Sequence, residues 1–352
     1  MNDIYDLKTY ISKNLDFIFS YLLSFFYILP LILGNNLYED DLLRNNTASS
    51  ISWFIDERPF SSILAILTSG SIYLNNIFPL GLILSILCTS ISGVFASRIL
   101  FKKQEQVLER IFFSLFIIVN PYFCQNLSFQ YDSLSMSLAQ SLAIYAATII
   151  STTDKDIMKK ILLLFIVYGL YQPCLNTFIA FNLLILCEKE QLKDFYKNTI
   201  INMLSIIIIY CFYHFVFLNI EKNNAYALQH HQIISIDSNF FYNIFHNIIL
   251  NFKELFLILQ EPLFFFLSIG YIYSYFLHCS KNICHKKIIY YIYPIILPFL
   301  CVGLLVILKD PLFLPRIFVS FSVVIAFILL KLYSNISFYK KPKIAFFITI
   351  LF

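Results

Sequence analysis

The chain is a succession of apolar runs, at 17–34, 72–97, 107–121, 133–150, 161–187, 199–220, 261–279, 288–308, 316–334 and 343–352. A helix needs about 20 apolar residues to cross about 30 Å of hydrocarbon. Most of the runs reach that length, 107–121 being short. Hydrophobic residues make up 59% of the 352 and charged residues only 13%, where a soluble domain carries about a quarter. So few charges cannot cover a water-facing surface, which leaves lipid as the solvent. Backbone amides in lipid must be satisfied within the chain, and helices do this. The expected fold is therefore all-α, a polytopic transmembrane helical bundle of about ten or eleven membrane segments in a single domain, 1–352. The first run follows a polar start with Lys8 and Lys13 and reads as a span rather than a cleaved signal. The last run stops with the chain, which reads as a missing C-terminal part.

Short basic loops set the orientation of such a bundle, because Lys and Arg are retained on the cytoplasmic side. Arg98, Lys102, Lys103 and Arg110 form one cluster, Lys155, Lys159 and Lys160 a second, Lys281, Lys286 and Lys287 a third, and Lys340, Lys341 and Lys343 a fourth. The run 161–187 has basic clusters on both sides and is interrupted by Gly169-Leu170-Tyr171-Gln172-Pro173. Proline removes a backbone donor and breaks a helix, so a helical hairpin returning to the cytoplasmic side is expected there. Four segments then face outward, 35–71, 120–132, 221–260 and 309–315, and most of the unusual polar residues fall in them.

The first outward segment carries Glu39-Asp40-Asp41, Arg44, Trp53 and Asp56-Glu57-Arg58-Pro59. Asp40 and Arg44 are four apart, so a helix would set them on one face as a surface ion pair; the sharper reading is a carboxylate base at the membrane surface. Trp53 is compatible with an interfacial anchor. The second segment reads Asn120-Pro121-Tyr122-Phe123 and then Gln130-Tyr131-Asp132-Ser133. Asn-Pro ends a helix, and Asp132-Ser133 is compatible with an N-cap as well as a substrate contact. Near the fourth, Pro315-Arg316 offers a guanidinium that either snorkels or grips a lipid phosphate.

Other constellations are weaker. His230-His231 with Asp237, His246 and Glu254, and His278-Cys279 with Cys284-His285, match no defined metal spacing. None of the eight cysteines forms a CxxC pair, so no disulfide framework is expected. The net charge of +4 is too mild to indicate nucleic-acid binding. No Walker, GxGxxG, HExxH or GxSxG motif is present, so nothing supports a nucleotide-sugar site.

Taken together, Asp40-Asp41 with Arg44, Trp53, Arg58-Pro59, Asn120-Pro121-Tyr122-Phe123 and Gln130-Tyr131-Asp132-Ser133-Leu134-Ser135-Met136 resemble the serotype-converting O-antigen glucosyltransferase family of bacteria and phages. The match is strongest at Asn-Pro-aromatic-Phe and Tyr-Asp-Ser-Leu-Ser-Met and covers the first half of the chain well. Beyond Tyr171-Gln172 it rests on hydropathy and Pro315-Arg316. The resemblance implies a membrane-embedded GT-C-like bundle with short periplasmic loop helices. It implies undecaprenyl-phosphate glucose as donor, O-antigen or a lipid-linked oligosaccharide as acceptor, and transfer on the periplasmic face of the bacterial inner membrane. The charge-derived topology put Asp40 and Asp41 outside independently.

Such a donor carries its own leaving group, a stable phosphate anion. What remains for the protein is a carboxylate to take the acceptor hydroxyl's proton and positive charge to steady the phosphate. Asp40 or Asp41 is expected as the base, with the other orienting it or the sugar. Arg44, Arg58 and Arg316 are the candidates for phosphate, with a divalent metal as the alternative source of charge. Gln130, Tyr131 and Asp132 are expected to bind sugar hydroxyls or order the first loop. The competing class is a flippase for a lipid-linked sugar, which explains the spans and arginines but gives no reason for carboxylates gathered in the first outward loop.

Overall fold

The structure is a computed structural model that describes residues 14–38, 40–47, 49–103, 106–189, 192–221, 232–281 and 288–335. Its helices are α1 (Leu15–Gly34), α2 (Asp40–Thr47), α3 (Ser52–Ile55), α4 (Pro59–Ser69), α5 (Leu80–Leu100), α6 (Val107–Ile118), α7 (Pro121–Ser128) and α8 (Ser133–Thr148). They continue with α9 (Asp154–Leu170), α10 (Cys174–Lys189), α11 (Leu192–Glu221), α12 (Phe240–Leu259), α13 (Glu261–Lys281), α14 (Ile289–Val302) and α15 (Ser322–Asn335). Among the described residues the extended pairings are two isolated bridges, Ser49–Tyr73 and Ile233–Leu308. The all-α polytopic architecture is thus as expected.

Among the described residues five helical stretches are long and apolar enough to cross a membrane: Leu15–Gly34, Leu80–Leu100, Phe195–Phe217, Glu261–Ser280 and Ile289–Ile307. The pair α6–α7 makes a sixth if its 58° bend lies within one span. Asn120-Pro121 builds that bend. Pro121 has no N–H to offer the preceding turn, and the Asn120 side chain serves both helices. Its Nδ2 donates to the Phe116 and Ile117 carbonyls that end α6, and its Oδ1 accepts from Phe123 N at 2.9 Å in the first turn of α7. Orphan carbonyls at the end of α6 and an orphan amide at the start of α7 are thereby satisfied, as a buried helix end requires.

The shorter helices α8 and α10 pack inside, and α9 lies against α8 with Met158 and Leu162 exposed. Thr177 Oγ1 donates to Gln140 Oε1 at 2.8 Å and Asn182 Nδ2 to the Ala147 carbonyl at 2.9 Å, so α10 runs parallel to α8. Lys159 Nζ donates to Tyr145 Oη at 2.7 Å, while Leu170 lies beside the start of α8, so α9 runs antiparallel to it. Helices α9 and α10 are therefore the expected hairpin, turning at Tyr171–Pro173.

Small residues let the inner helices approach closely. A Cβ at Gly93 of α5 would stand 2.6 Å from Ser114 Oγ and 3.1 Å from Ser114 Cα on α6. Gly93→Val should therefore push α5 and α6 apart and cost about 1–3 kcal/mol. A lowered unfolding temperature in detergent would report it; an unchanged one would mean that the seam is looser than described.

The bundle separates its charges by end. At one end Asp16, at the start of α1, accepts from Arg98 Nε at 2.8 Å and Nη2 at 2.6 Å, and Arg110 Nη1 stands 3.7 Å away. The basic cluster at 98–110 is thus fixed where α1 begins, α5 ends and α6 begins. The segments 35–71, 120–132 and 309–315 meet at the opposite end. There Lys309 N also donates to the Gln232 carbonyl at 2.8 Å and Ile234 N to the Ile307 carbonyl at 3.0 Å, joining 232–234 to the fourth segment.

The reading of 221–260 as a loop is corrected: α12 occupies 20 residues of it. This helix is amphipathic in the inverted sense. Asn247 and Asn251 are buried, with Asn247 Nδ2 donating to the Val306 and Leu308 carbonyls, while Phe241, Tyr242, Phe245 and Ile249 are exposed. Leu255 and Leu259 complete the buried face.

Candidate active site

Asp132 is the hub of the polar end. It stands at the N-cap position of α8, yet its side chain makes no capping bond. The carboxylate turns instead to the first outward segment. Oδ2 accepts from Arg44 Nε at 2.8 Å, and Oδ1 accepts from Trp53 Nε1 at 2.6 Å and lies 3.0 Å from Arg58 Nη2. Arg44 also donates to Ser52 Oγ at 3.1 Å, and its guanidinium lies 4.2 Å over the Trp53 ring. Arg58 donates to the Leu170 carbonyl at 2.7 Å and to Ser135 Oγ at 3.1 Å. Asp132 and Trp53 are each 1% exposed. Burial pushes the Asp132 carboxyl up, but Arg44, Arg58 and the Trp53 bond outweigh it and hold the group below the usual carboxylate value. A buried carboxylate flanked by two arginines is stable only as this complete set.

Three sequence expectations are thereby revised. Asp40 and Arg44 share α2, but they do not pair with each other: Arg44 goes to Asp132 and Asp40 to Arg316. Trp53 is buried rather than anchored at an interface. Asp132 does not cap α8 with its side chain. The guanidiniums of Arg44 and Arg58 are engaged in holding α2, α3, α4, α8 and the α9–α10 turn together.

Asp41 is also structural in its bonding. Its side chain is buried; Oδ2 accepts from Gln130 N at 2.8 Å and Tyr38 N at 3.3 Å, and Oδ1 from Tyr131 N at 3.2 Å. Burial raises its pKa, and the three backbone bonds oppose the rise without cancelling it. Gln130 extends the junction, accepting from Asn76 Nδ2 at 2.6 Å and donating to Asn35 Oδ1 and the Asn36 carbonyl at 3.2 Å. Tyr131 Oη donates to Asn45 Oδ1 at 3.1 Å. Asp41→Ala leaves buried backbone donors without acceptors, at about 1–3 kcal/mol each. The expected result is a lower unfolding temperature in detergent with the activity per folded molecule largely kept; an unchanged unfolding temperature would count against the junction.

Asp40 differs. Its side chain is 41% exposed and pairs with Arg316 Nη1 at 2.9 Å. Arg316 sits in the 3-10 turn Pro315–Ile317, and its backbone is held on both sides. Its N–H donates to Gln125 Oε1 at 2.7 Å, and its carbonyl accepts from Tyr171 Oη at 3.0 Å. The guanidinium lies 4.9 Å over the Phe129 ring. Gln125 Nε2 donates in turn to Tyr38 Oη at 3.2 Å, two residues before Asp40. A carboxylate reachable from solvent beside a guanidinium is the arrangement that accepts a proton at one point and steadies an anion next to it.

Sequence reasoning did not assign Gln125 or Tyr171 to the site. Tyr171 lay in the helix break at Gly169–Pro173, and that break proves to be the tip pressed under Arg316 and Arg58. Among the described residues no group of three His, Cys, Asp or Glu is placed to hold a metal ion. The oxygens of Asp41 and Asp132 already have protein partners. His230, His231, Cys284 and His285 lie outside the described residues. Asp237 accepts from Ser235 Oγ and Asn239 N within its own turn, and the His278 ring contacts the Tyr290 carbonyl.

A protein-family model described as glucosyl transferase GtrII matches residues 29–348. A relative from Salmonella phage P22, described as an uncharacterized 55.3 kDa protein in the gtrB 5′ region, is 26% identical over 239 residues. Those residues are 66% of this chain and 48% of the relative, so the chain spans about half the length of the curated relative it matches. No solved structure matches the chain.

Proposed function

The chain belongs to the glucosyl transferase GtrII family, and from that premise we propose that it is a membrane glucosyltransferase of the GT-C class using a polyprenyl-phosphate donor. In this reading glucose passes from undecaprenyl phosphate to O-antigen repeat units at the periplasmic face of a bacterial inner membrane. The observation that carries the proposal is the reachable Asp40 carboxylate beside Arg316, at the end of the bundle opposite the basic cluster that packs on Asp16. Basic loops stay in the cytoplasm, so that end is assigned to the outside.

The chemistry follows from the charges. An acceptor hydroxyl oxygen attacks the anomeric carbon and forms the new C–O bond. The bond from that carbon to the phosphate oxygen breaks, and its electron pair leaves with the phosphate. The hydroxyl proton goes to Asp40. Arg316 faces the charge that grows on the departing phosphate, where a planar fork of donors suits a phosphate. Direct displacement inverts the anomeric centre. The isoprenoid tail lies among the apolar helix faces, and alignment of donor and acceptor supplies much of the remaining acceleration.

Whole-cell analysis of O-antigen with and without this protein tests the reading. One added hexose per repeat unit is the expected result. An unaltered repeat, together with movement of labelled carrier across vesicles without bond transfer, would make the protein a transporter instead.

A further inference from the structure

We propose that the Asp40–Arg316 ion pair is a latch that the donor's phosphate opens, so that the carboxylate oxygen held by Arg316 is released when the donor binds. The inference rests on the reading of Arg316 as the phosphate ligand and adds an order to the binding steps.

The bonding of the three arginines carries it. Arg58 makes two hydrogen bonds and an ion pair, and Arg44 is bonded to both Asp132 and Ser52. The Arg316 guanidinium, with five N–H donors available to it, makes one hydrogen bond among the described residues, to Asp40. Its side chain is 16% exposed, less than half the exposure of its partner. Its unmatched donors are open to an incoming group, and a phosphate offers several acceptors at once.

The backbone of Arg316 is held by bonds separate from those of its side chain. Gln125 holds the N–H and Tyr171 the carbonyl, so the segment stays in place when the guanidinium turns. The guanidinium rests on the face of Phe129, an apolar support that holds it by no hydrogen bond, so the bond to Asp40 is the one exchanged when it turns. Asp132 cannot draw it away, because both its oxygens are taken by Arg44, Arg58 and Trp53. Asp40 has no second side-chain partner among the described residues. Arg316 holds Asp40 Oδ2 alone, so a phosphate that takes Arg316 frees this second oxygen for an acceptor hydroxyl. Donor binding therefore precedes any productive acceptor that uses this oxygen.

The latch predicts that removing the catalytic carboxylate strengthens donor binding. Equilibrium binding of a C55 polyprenyl monophosphate, which has no sugar to transfer, is measured on purified protein in nanodiscs. Asp40→Asn should bind it about three- to tenfold tighter than the unmodified protein, since the competing pair is gone. Arg316→Gln should bind at least about tenfold more weakly. In the double variant the gain from Asp40→Asn should vanish, because there is no arginine left to release. A gain that persists without Arg316 would be plain charge repulsion and would overturn the latch. Equal binding by Asp40→Asn and the unmodified protein would overturn it too, while leaving Arg316 as the phosphate ligand. Unchanged binding by Arg316→Gln would remove the underlying reading itself. Asp40→Ser, which also lacks the charge, should shift in the same direction as Asp40→Asn, and an opposite shift would contradict the latch.

Discussion

Replacing Asp132 with alanine is expected to cost about 3–5 kcal/mol and to leave little folded protein in the membrane. The change removes one carboxylate but strands three groups: Arg44, Arg58 and the Trp53 indole N–H all point at it. Two guanidiniums are then left close together in a buried space without a counter-charge. Breaking such a set is far more damaging than never having built it. The loss should spread, because Arg58 also ties the end of α9 to the start of α8 through Leu170 and Ser135. Thermal unfolding in detergent and the amount of inserted protein measure it. Retention of the normal unfolding temperature would mean that the hub does not hold the outer end together. The effect has a pH signature. Asp132 lies below the usual carboxylate value, so its stabilisation is complete above about pH 4 and is lost as pH falls further. The gap between the unmodified protein and Asp132→Ala should therefore narrow in acid.

Replacing Asp40 with alanine should do the opposite: leave the fold and remove the reaction. A general base typically contributes 10²–10⁴-fold, so transfer from a polyprenyl-phosphate donor should fall by about that factor. Stability should change by less than about 1 kcal/mol, because the pair with Arg316 lies at a solvent-accessible rim. Membrane insertion and the unfolding temperature serve as controls. Asp41 lies next in sequence and separates the two roles. Its loss should lower stability while each folded molecule keeps most of its activity, since its oxygens are enclosed by the Tyr38, Gln130 and Tyr131 amides. Full activity in both variants would remove the carboxylate base from the mechanism.

The contrast between Asp40 and Asp41 also marks how far local sequence reaches. Part of the span pattern was legible, because lipid demands runs of apolar residues and Leu15–Gly34, Leu80–Leu100 and Glu261–Lys281 supply them, whereas about ten or eleven segments were expected and five or six helices among the described residues reach span length. The hairpin was legible from Pro173 and the basic residues on both sides of it. Helix α12 was not, because His246, Lys253 and Glu254 made its segment resemble a loop, and its asparagines face inward rather than outward. The site was half legible. Its residues could be gathered from the outward segments, but their partners could not. Arg44 and Asp132 are 88 positions apart, and Asp40 and Arg316 are 276 apart. No periodicity carries such pairings; they exist only once the bundle brings its ends together. Spacing on α2 favoured Asp40 with Arg44, and the buried charge of Asp132 won the arginine instead.

The central claim is that the Asp40–Arg316 pair looks out from the side of the membrane where a lipid-linked donor is used. Asn46 is an exposed residue on the same short helix as Asp40 and takes no part in the hub. With Asn46→Cys in a background stripped of other thiols, a membrane-impermeant maleimide applied to cells whose outer membrane alone has been opened should label the protein fully. Labelling that appears only after the inner membrane is also breached would put this helix in the cytosol and contradict the account.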